Sequence, residues 1–163
     1  MADDDIVEGT DRSDDLIERL ADLASERSLT VGCAESLTAG TLAARLGAAK
    51  GSSEWFRGGI VAYSREVKHG LLRVPEGPVV SEQAVRAMAE STSRLLEAEI
   101  VVAVSGAGGP DSQDGRPPGT VWFATTGPEG TRCEEKQFEG DPQKVLARTV
   151  RHALTLLVDR AQA

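Results

Sequence analysis

The chain reads as an α/β protein, a single three-layer α/β/α domain built on a mixed sheet. Short apolar, β-branched runs at residues 29–31, 59–63, 100–104, 121–125 and 133–138 have the look of strands. Amphipathic stretches at helical period alternate with the earlier runs, and that interleaving puts helices on both faces of a sheet. The length of 163 residues fits one domain with a sizeable core, with no internal repeat and no linker composition.

Residues 1–12 are acidic and polar and are expected to form a disordered tail, leaving 13–163 as the domain. Ser13 is placed to cap a first helix to about Arg27, with Leu16, Leu20 and Leu23 along one face and Ile17 and Ala24 beside them. A strand at 29–31 leads through Cys33-Ala34-Glu35-Ser36-Leu37-Thr38-Ala39-Gly40 into a run of helix formers at 41–46. Residues 47–59 read as loop, with Trp55 and Phe56 seating it on the body of the domain. The strand at 59–63 is followed by a short helix at 65–72, and 75–78 is a turn. Ser81 caps a long helix to about Ala98, apolar at Ala84, Val85, Met88, Ala89, Leu95 and Leu96. Ile100-Val101-Val102-Ala103-Val104 is continuous enough for a strand covered on both faces. Residues 105–119, rich in Gly and Pro, form a loop. A hairpin through Gly127-Pro128-Glu129-Gly130 joins the last two strands. Asp141 and Pro142 open a final helix to about Arg160.

Composition narrows the function. A net charge of −8 lacks the basic face that nonspecific nucleic-acid binding needs. The chain is also lysine-poor, with Lys50, Lys68, Lys136 and Lys144 alone, a balance compatible with a high-salt cytoplasm. Cys33 and Cys133 stand far apart, and neither they nor His69 and His152 show ligand spacing, so no metal site is expected and both thiols read as buried and reduced. No apolar run approaches the ~20 residues of a membrane span, and the start has no signal-peptide core. A soluble, cytoplasmic protein without membrane or nucleic-acid partners is the expectation.

Three loop clusters follow strands, where ligands gather in α/β sheets. These are the Ser36 junction, Tyr63-Ser64-Arg65-Glu66-Val67-Lys68, and Ser105-Gly106-Ala107-Gly108-Gly109-Pro110-Asp111. By itself Ser36 reads either as a helix-capping residue or as a hydroxyl facing the free N–H groups of the next helix, donors suited to an oxyanion or a phosphate. A serine is a weak nucleophile until a neighbour takes its proton. With neither histidine in a triad motif, a Ser–Lys pair is the natural alternative, and Lys68 can act as base only if its surroundings lower its proton affinity. Taken alone, Lys68 reads as a solvated surface lysine, and Tyr63 as a core ring.

Six motifs occur in one register: Glu35-Ser36-Leu37-Thr38-Ala39-Gly40, Gly51-Ser52-Ser53-Glu54-Trp55-Phe56, Tyr63 to Lys68, Val80-Ser81-Glu82, Ser105 to Asp111, and Pro118-Gly119-Thr120-Val121-Trp122. Together they resemble the C-terminal domain of CinA-type competence/damage-inducible proteins, whose stand-alone members include nicotinamide-nucleotide amidases. The resemblance covers roughly residues 14–160 and does not extend to the large N-terminal domain that many members carry. It implies hydrolysis of nicotinamide mononucleotide to nicotinic acid mononucleotide and ammonia, without a cofactor. It also implies a serine nucleophile at Ser36, with Lys68 and Tyr63 in proton transfer. Substrate contacts are expected at Glu35, Thr38, Gly40, Ser105, Gly106, Gly108 and Gly109, where main-chain N–H groups of 106–109 can form an anion nest. For Glu35, organising the turn and contacting ribose both stay open.

The chain departs from the family pattern at several places. Ala39 stands where many members have glycine, Ala107 and Gly108 alter the third loop, and Arg116 replaces a frequent lysine. Pro142 and Leu146 occupy the region where members carry arginines, so the phosphate-binding residue is open, with Arg148 or Arg151 as substitutes from another turn. Two other functions fit the same motifs: a pyridine-nucleotide-binding module without turnover, and an amidohydrolase for another small amide. An apolar face on the last helix suggests a homo-oligomer.

Overall fold

The computed structural model describes residues 2–163, with side chains from Arg12 onward, so the expected acidic tail lies almost wholly outside the described side chains. The elements run α1 (Ala2–Arg27), β1 (Val31–Glu35), α2 (Thr41–Gly47), α3 (Ser52–Trp55), β2 (Phe56–Val61), α4 (Arg65–Gly70), α5 (Glu82–Leu96), β3 (Ile100–Gly106), β4 (Thr120–Gly127), β5 (Gly130–Gln137) and α6 (Pro142–Gln162). The five strands form one sheet in the order β2-β1-β3-β4-β5. β1 is parallel to both β2 and β3, whereas β3, β4 and β5 are antiparallel, giving the mixed sheet that the sequence predicts.

Burial follows position in the sheet. Every residue of β1 and β3 is buried, as their continuous apolar runs require, while the outer strand β2 alternates between half-buried and exposed. One face of the sheet packs Val31, Cys33, Val102, Val104 and Phe123 against α1, α2 and α6. The other face packs Ala34, Val101, Ala103 and Ala124 against α5 and the segment after α4. These are the two helical layers expected. Val145, Val150, Leu154, Leu157 and Val158 of α6 are all buried in the first of these cores, so its apolar face is taken up within the chain and is not free for a second copy.

Several boundaries differ from the sequence reading. Ser13 is buried inside α1 rather than capping it. The loop expected at 47–59 contains the single turn α3, closed by the Ser52 hydroxyl donating to the Gly47 carbonyl (2.7 Å) and the Trp55 indole N–H donating to the Lys50 carbonyl (3.1 Å). β2 therefore starts at Phe56 and stops at Val61, before Tyr63. β5 starts at Gly130, directly after the two-residue turn, because Gly127 and Gly130 are themselves paired. Ser81 and Asp141 cap α5 and α6 as their residue types predict, each accepting from the N–H three residues on. Cys33 is fully buried, but Cys133 only partly.

The junction after β1 positions the rest. A Cβ at Gly59 would stand 2.8 Å from the Ala43 Cβ and 2.9 Å from Cys33 Sγ, so glycine there lets α2 lie directly on β1 and β2. Glu35, fully buried at the end of β1, receives the N–H of Leu42 on Oε1 (2.8 Å) and that of Ala43 on Oε2 (3.0 Å). Between them the chain turns through Ala39 (φ 47°) and Gly40 (φ 102°), both left-handed. For Ala39 that backbone is strained, and a glycine there would relieve it.

Two stability outcomes follow. Glu35→Gln replaces one accepting oxygen with a donor facing an N–H, and chemical denaturation should show a loss of about 1–3 kcal/mol. Ala39→Gly should instead gain about 1 kcal/mol in the same measurement.

Candidate active site

β1 and β2 are neighbouring parallel strands, so their C-terminal ends emerge side by side. The Ala62 N–H donates to the Glu35 carbonyl at 2.8 Å, which carries the pairing one step past Val61. The chain therefore leaves β1 at Ser36 and β2 at Tyr63 about one strand spacing apart, ~4.8 Å. Ser36 is buried, and its carbonyl receives the Ala39 N–H (3.1 Å) as the loop turns towards α2.

Past Tyr63 the chain enters α4. Ser64 caps it by accepting from the Val67 N–H at 3.2 Å, and the Lys68 N–H donates to the Ser64 carbonyl at 3.1 Å. This one capped turn sends Lys68 back towards the strand end. Lys68 is 1% exposed, among the largest fully buried side chains, and Nζ donates to the Tyr63 carbonyl at 2.9 Å. The surface-lysine reading is thereby overturned. Burial, reinforced by the Arg65 charge and opposed by Asp114, lowers the Lys68 ammonium from 10.5 to about 8. Among the described residues Lys68 and Ser36 share no direct hydrogen bond; the amine rests on the carbonyl of the adjacent strand end instead.

Tyr63 does not fill the core. It is 69% exposed, its ring stands at the rim of the strand ends, and its contribution to Lys68 is a main-chain carbonyl rather than the phenol.

The start of α2 does not offer the free N–H groups that the sequence suggests. All of the first N–H groups of α2 are occupied: Thr41 donates to the Thr38 carbonyl (3.0 Å), Leu42 and Ala43 to Glu35, and Ala44 to the Gly40 carbonyl (2.9 Å). Glu35 thus organises the turn, with its carboxylate fully buried against α2. Among the described residues the main-chain N–H groups of Leu37, Thr38, Gly108 and Gly109 make no protein hydrogen bond. A Cβ on Gly108 would lie 3.8 Å from the Leu37 Cβ, so these two loops face each other beside Ser36.

The remaining expected contacts divide. Thr38 is buried with its hydroxyl unpaired. Ser105 is buried, and its hydroxyl is committed to the Val79 carbonyl at 2.6 Å. Gly106 lies within β3, where a Cβ would press on the Thr120 carbonyl at 2.8 Å; its small size serves strand packing rather than an anion nest. Gly40 supplies the left-handed residue ahead of α2. Gly109 (φ 91°) faces the start of α6, with the Pro142 Cγ 3.8 Å from its Cβ direction. There Asp141 caps the helix and the Arg148 guanidinium donates to the Glu139 carbonyl.

Asp114 and Arg65 were not singled out from the sequence. Asp114 and Gly115, at φ 53° and 74°, form the tip of a tight two-residue turn in which Gln113 and Arg116 exchange N–H to carbonyl bonds of 3.1 and 2.8 Å. Asp-Gly is the usual signal for such a turn and was available in the sequence. Through it the Asp114 carboxylate meets Arg65 and accepts the N–H groups of Val79 (2.8 Å) and Val80 (3.1 Å).

A cavity of about 280 Å³ between β4, β5 and α6 is lined by Phe123, Thr125, Arg132 and Arg160 and is remote from these strand ends. The Arg160 guanidinium there donates to the Thr125 and Gly130 carbonyls, which ties α6 to β4 and β5. No helix among the described residues is long and apolar enough to cross a membrane.

Over residues 13–161 the chain matches the CinA C-terminal domain. A Desulforamulus reducens protein is 37% identical over 149 residues, 88% of this chain and 36% of its own length. The CinA-like protein of Frankia casuarinae is 38% identical over 151 residues, 89% of this chain and 35% of its own. The chain spans about a third of the length of these relatives. The crystal structure of a competence or damage-inducible protein from Enterobacter asburiae has a TM-score of 0.88 at 33% identity and covers 91% of this chain and 98% of that one. A CinA superfamily protein from Klebsiella pneumoniae gives 0.87 at 33% identity, covering 92% and 98%. Sequence and fold agree over nearly the whole chain, which belongs to the CinA C-terminal domain family.

Proposed function

We propose that the chain is an amidohydrolase that uses Ser36 as nucleophile and Lys68 as proton carrier, acting on the carboxamide of nicotinamide mononucleotide. The observation that carries this reading is the burial of Lys68 beside the end of the strand that bears Ser36. A lysine with proton affinity lowered to about 8 has a substantial neutral fraction near neutral pH, which a general base requires. The amine now rests on the Tyr63 carbonyl, and the reaction requires it to turn to the Ser36 hydroxyl when substrate arrives.

In the reaction, the Ser36 oxygen bonds to the carboxamide carbon while its proton passes to the neutral Lys68 amine. The oxyanion is received by main-chain N–H groups of Leu37 and Thr38 and of the facing Gly108 and Gly109. The C–N bond then breaks, and Lys68 returns the proton to the departing nitrogen, releasing ammonia. Water attacks the acyl-serine, Lys68 again takes a proton, and Ser36 recovers it as the acid leaves. The Tyr63 ring, at the exposed rim, is suited to lie against the pyridine ring rather than to relay the proton.

Ammonia release from nicotinamide mononucleotide is the direct measurement. Ser36→Ala should reduce it by several orders of magnitude, and equal release from the variant overturns the assignment. Binding without release would make the chain a nucleotide-binding module, and release from other amides alone would change the substrate. The rate should rise with pH through about 8 as Lys68 loses its proton.

The same burial has a stability signature. Because Lys68 is held at about 8 and unfolds to 10.5, the unfolded chain binds more protons between those values, so this group's contribution to stability rises with pH across that window. Below it the folded protein carries a cost on the order of 3 kcal/mol. Lys68→Met should therefore melt above the wild type at pH 7, and thermal melts should show the gap closing between pH 8 and 10.5.

A further inference from the structure

Three segments remote in sequence meet around the Asp114 carboxylate. Arg65 comes from the first turn of α4, Val79 and Val80 from the segment before α5, and Asp114 from the β3–β4 connection. Arg65 also donates to the Gly77 carbonyl at 3.2 Å, and the Ser105 hydroxyl holds Val79 from the other side at 2.6 Å. The Asp114 side chain is only 9% exposed and sits on a left-handed backbone, so both burial and conformation are borne for this contact. The network stands one helical turn from Lys68.

Resting on the Ser36–Lys68 reading, we propose that Arg65 and Asp114 are positioning residues, an opposed-charge clasp that holds α4 against the β3–β4 connection and sets the proton affinity of the Lys68 amine. Arg65 presents a like charge that favours the neutral amine. Asp114 presents an opposite charge that favours the ammonium. Burial is the largest influence on the amine, and the two charges adjust it in opposite directions. The other ionisable groups near α4 face elsewhere: the His69 ring contacts the Val74 carbonyl (2.7 Å) and Glu76 (3.8 Å), Glu66 is exposed, and the Glu35 carboxyl lies under α2. For Asp114 burial works upward, but Arg65 and the two N–H donors outweigh it and hold its carboxyl below the usual range, so it stays charged while Lys68 titrates.

A purely structural clasp and a tuning clasp differ in sign. Asp114→Asn keeps an oxygen for Val79 and Val80 while leaving Arg65 uncompensated, which should move the Lys68 midpoint down. Arg65→Gln leaves Asp114 uncompensated and should move it up. Each displacement should be roughly half to one pH unit. Arg65→Lys retains the charge and should restore the wild-type midpoint.

With Lys50, Lys68, Lys136 and Lys144 the sole lysines, ¹³C NMR of the lysine side chains across a pH titration reads that midpoint directly in the full chain; Lys68→Arg assigns the signal. Opposite displacements in the two variants establish the clasp. An unmoved midpoint, or displacement of both in one direction, overturns it. The readout does not need turnover: displaced midpoints in a protein that releases no ammonia would sink the amidase reading and leave the clasp standing. Ammonia release with unmoved midpoints would do the reverse.

Discussion

Burying the amine of Lys68 is the constraint to which the Ser36 end of this fold answers. An ammonium taken out of water must find compensation or lose its proton. Here the compensation is thin: one carbonyl, that of Tyr63, and the Asp114 charge, with the Arg65 guanidinium working against both. A chain selected for stability alone would place methionine or leucine at such a site. Holding a lysine there depends on the capped turn of α4, on the β1–β2 pairing that fixes the Tyr63 carbonyl, and on the Asp114 bridge that counterbalances Arg65. Each of these also fixes where the amine stands relative to Ser36.

The second organising contact is the Glu35 carboxyl under α2. By taking the N–H groups of Leu42 and Ala43 it removes the helix start as a binding site and ties α2 to the strand that carries Ser36. Among the described residues, N–H groups without a protein partner remain in the Ser36 loop and in the facing segment at Gly108. A motif that resembles a helix-mouth site in sequence is thus a helix anchor, and the unpaired N–H groups lie a few residues away.

The layered architecture was legible because burial in the sheet writes itself as composition: β1 and β3 are continuous apolar runs, and the α5 and α6 caps are Ser and Asp followed by periodic apolar residues. Short elements were not. α3 is one turn, closed by a serine hydroxyl and an indole whose partners are neighbouring carbonyls, and no periodicity can register in so few residues. Ser36, Tyr63 and Lys68 were found by motif, and the structure places the first and last at adjacent strand ends while turning the Tyr63 ring outward. What could not be read was the division of hydrogen bonds. Whether Ser105 faces a ligand or the Val79 carbonyl depends on a tertiary contact between distant segments. Asp114 was readable as a turn from its Asp-Gly pair, but its partners are again non-local.

The place of β2 in the sheet explains why Lys68 and Tyr63 experience such different surroundings. As an outer strand it has no neighbour beyond it, so Val61 and Tyr63 at its end are exposed at 45% and 69%. Lys68 would share that exposure if α4 continued outward. Instead the helix reverses over the strand end and the segment after it is pinned, the Val74 N–H donating to the Lys68 carbonyl at 3.0 Å. The amine is thereby enclosed on the inner side, towards β1, while the Tyr63 ring remains outside. An edge strand with a short reversed helix thus gives an enclosed amine and an open rim within a few residues, a combination that a central strand, covered on both faces, does not offer.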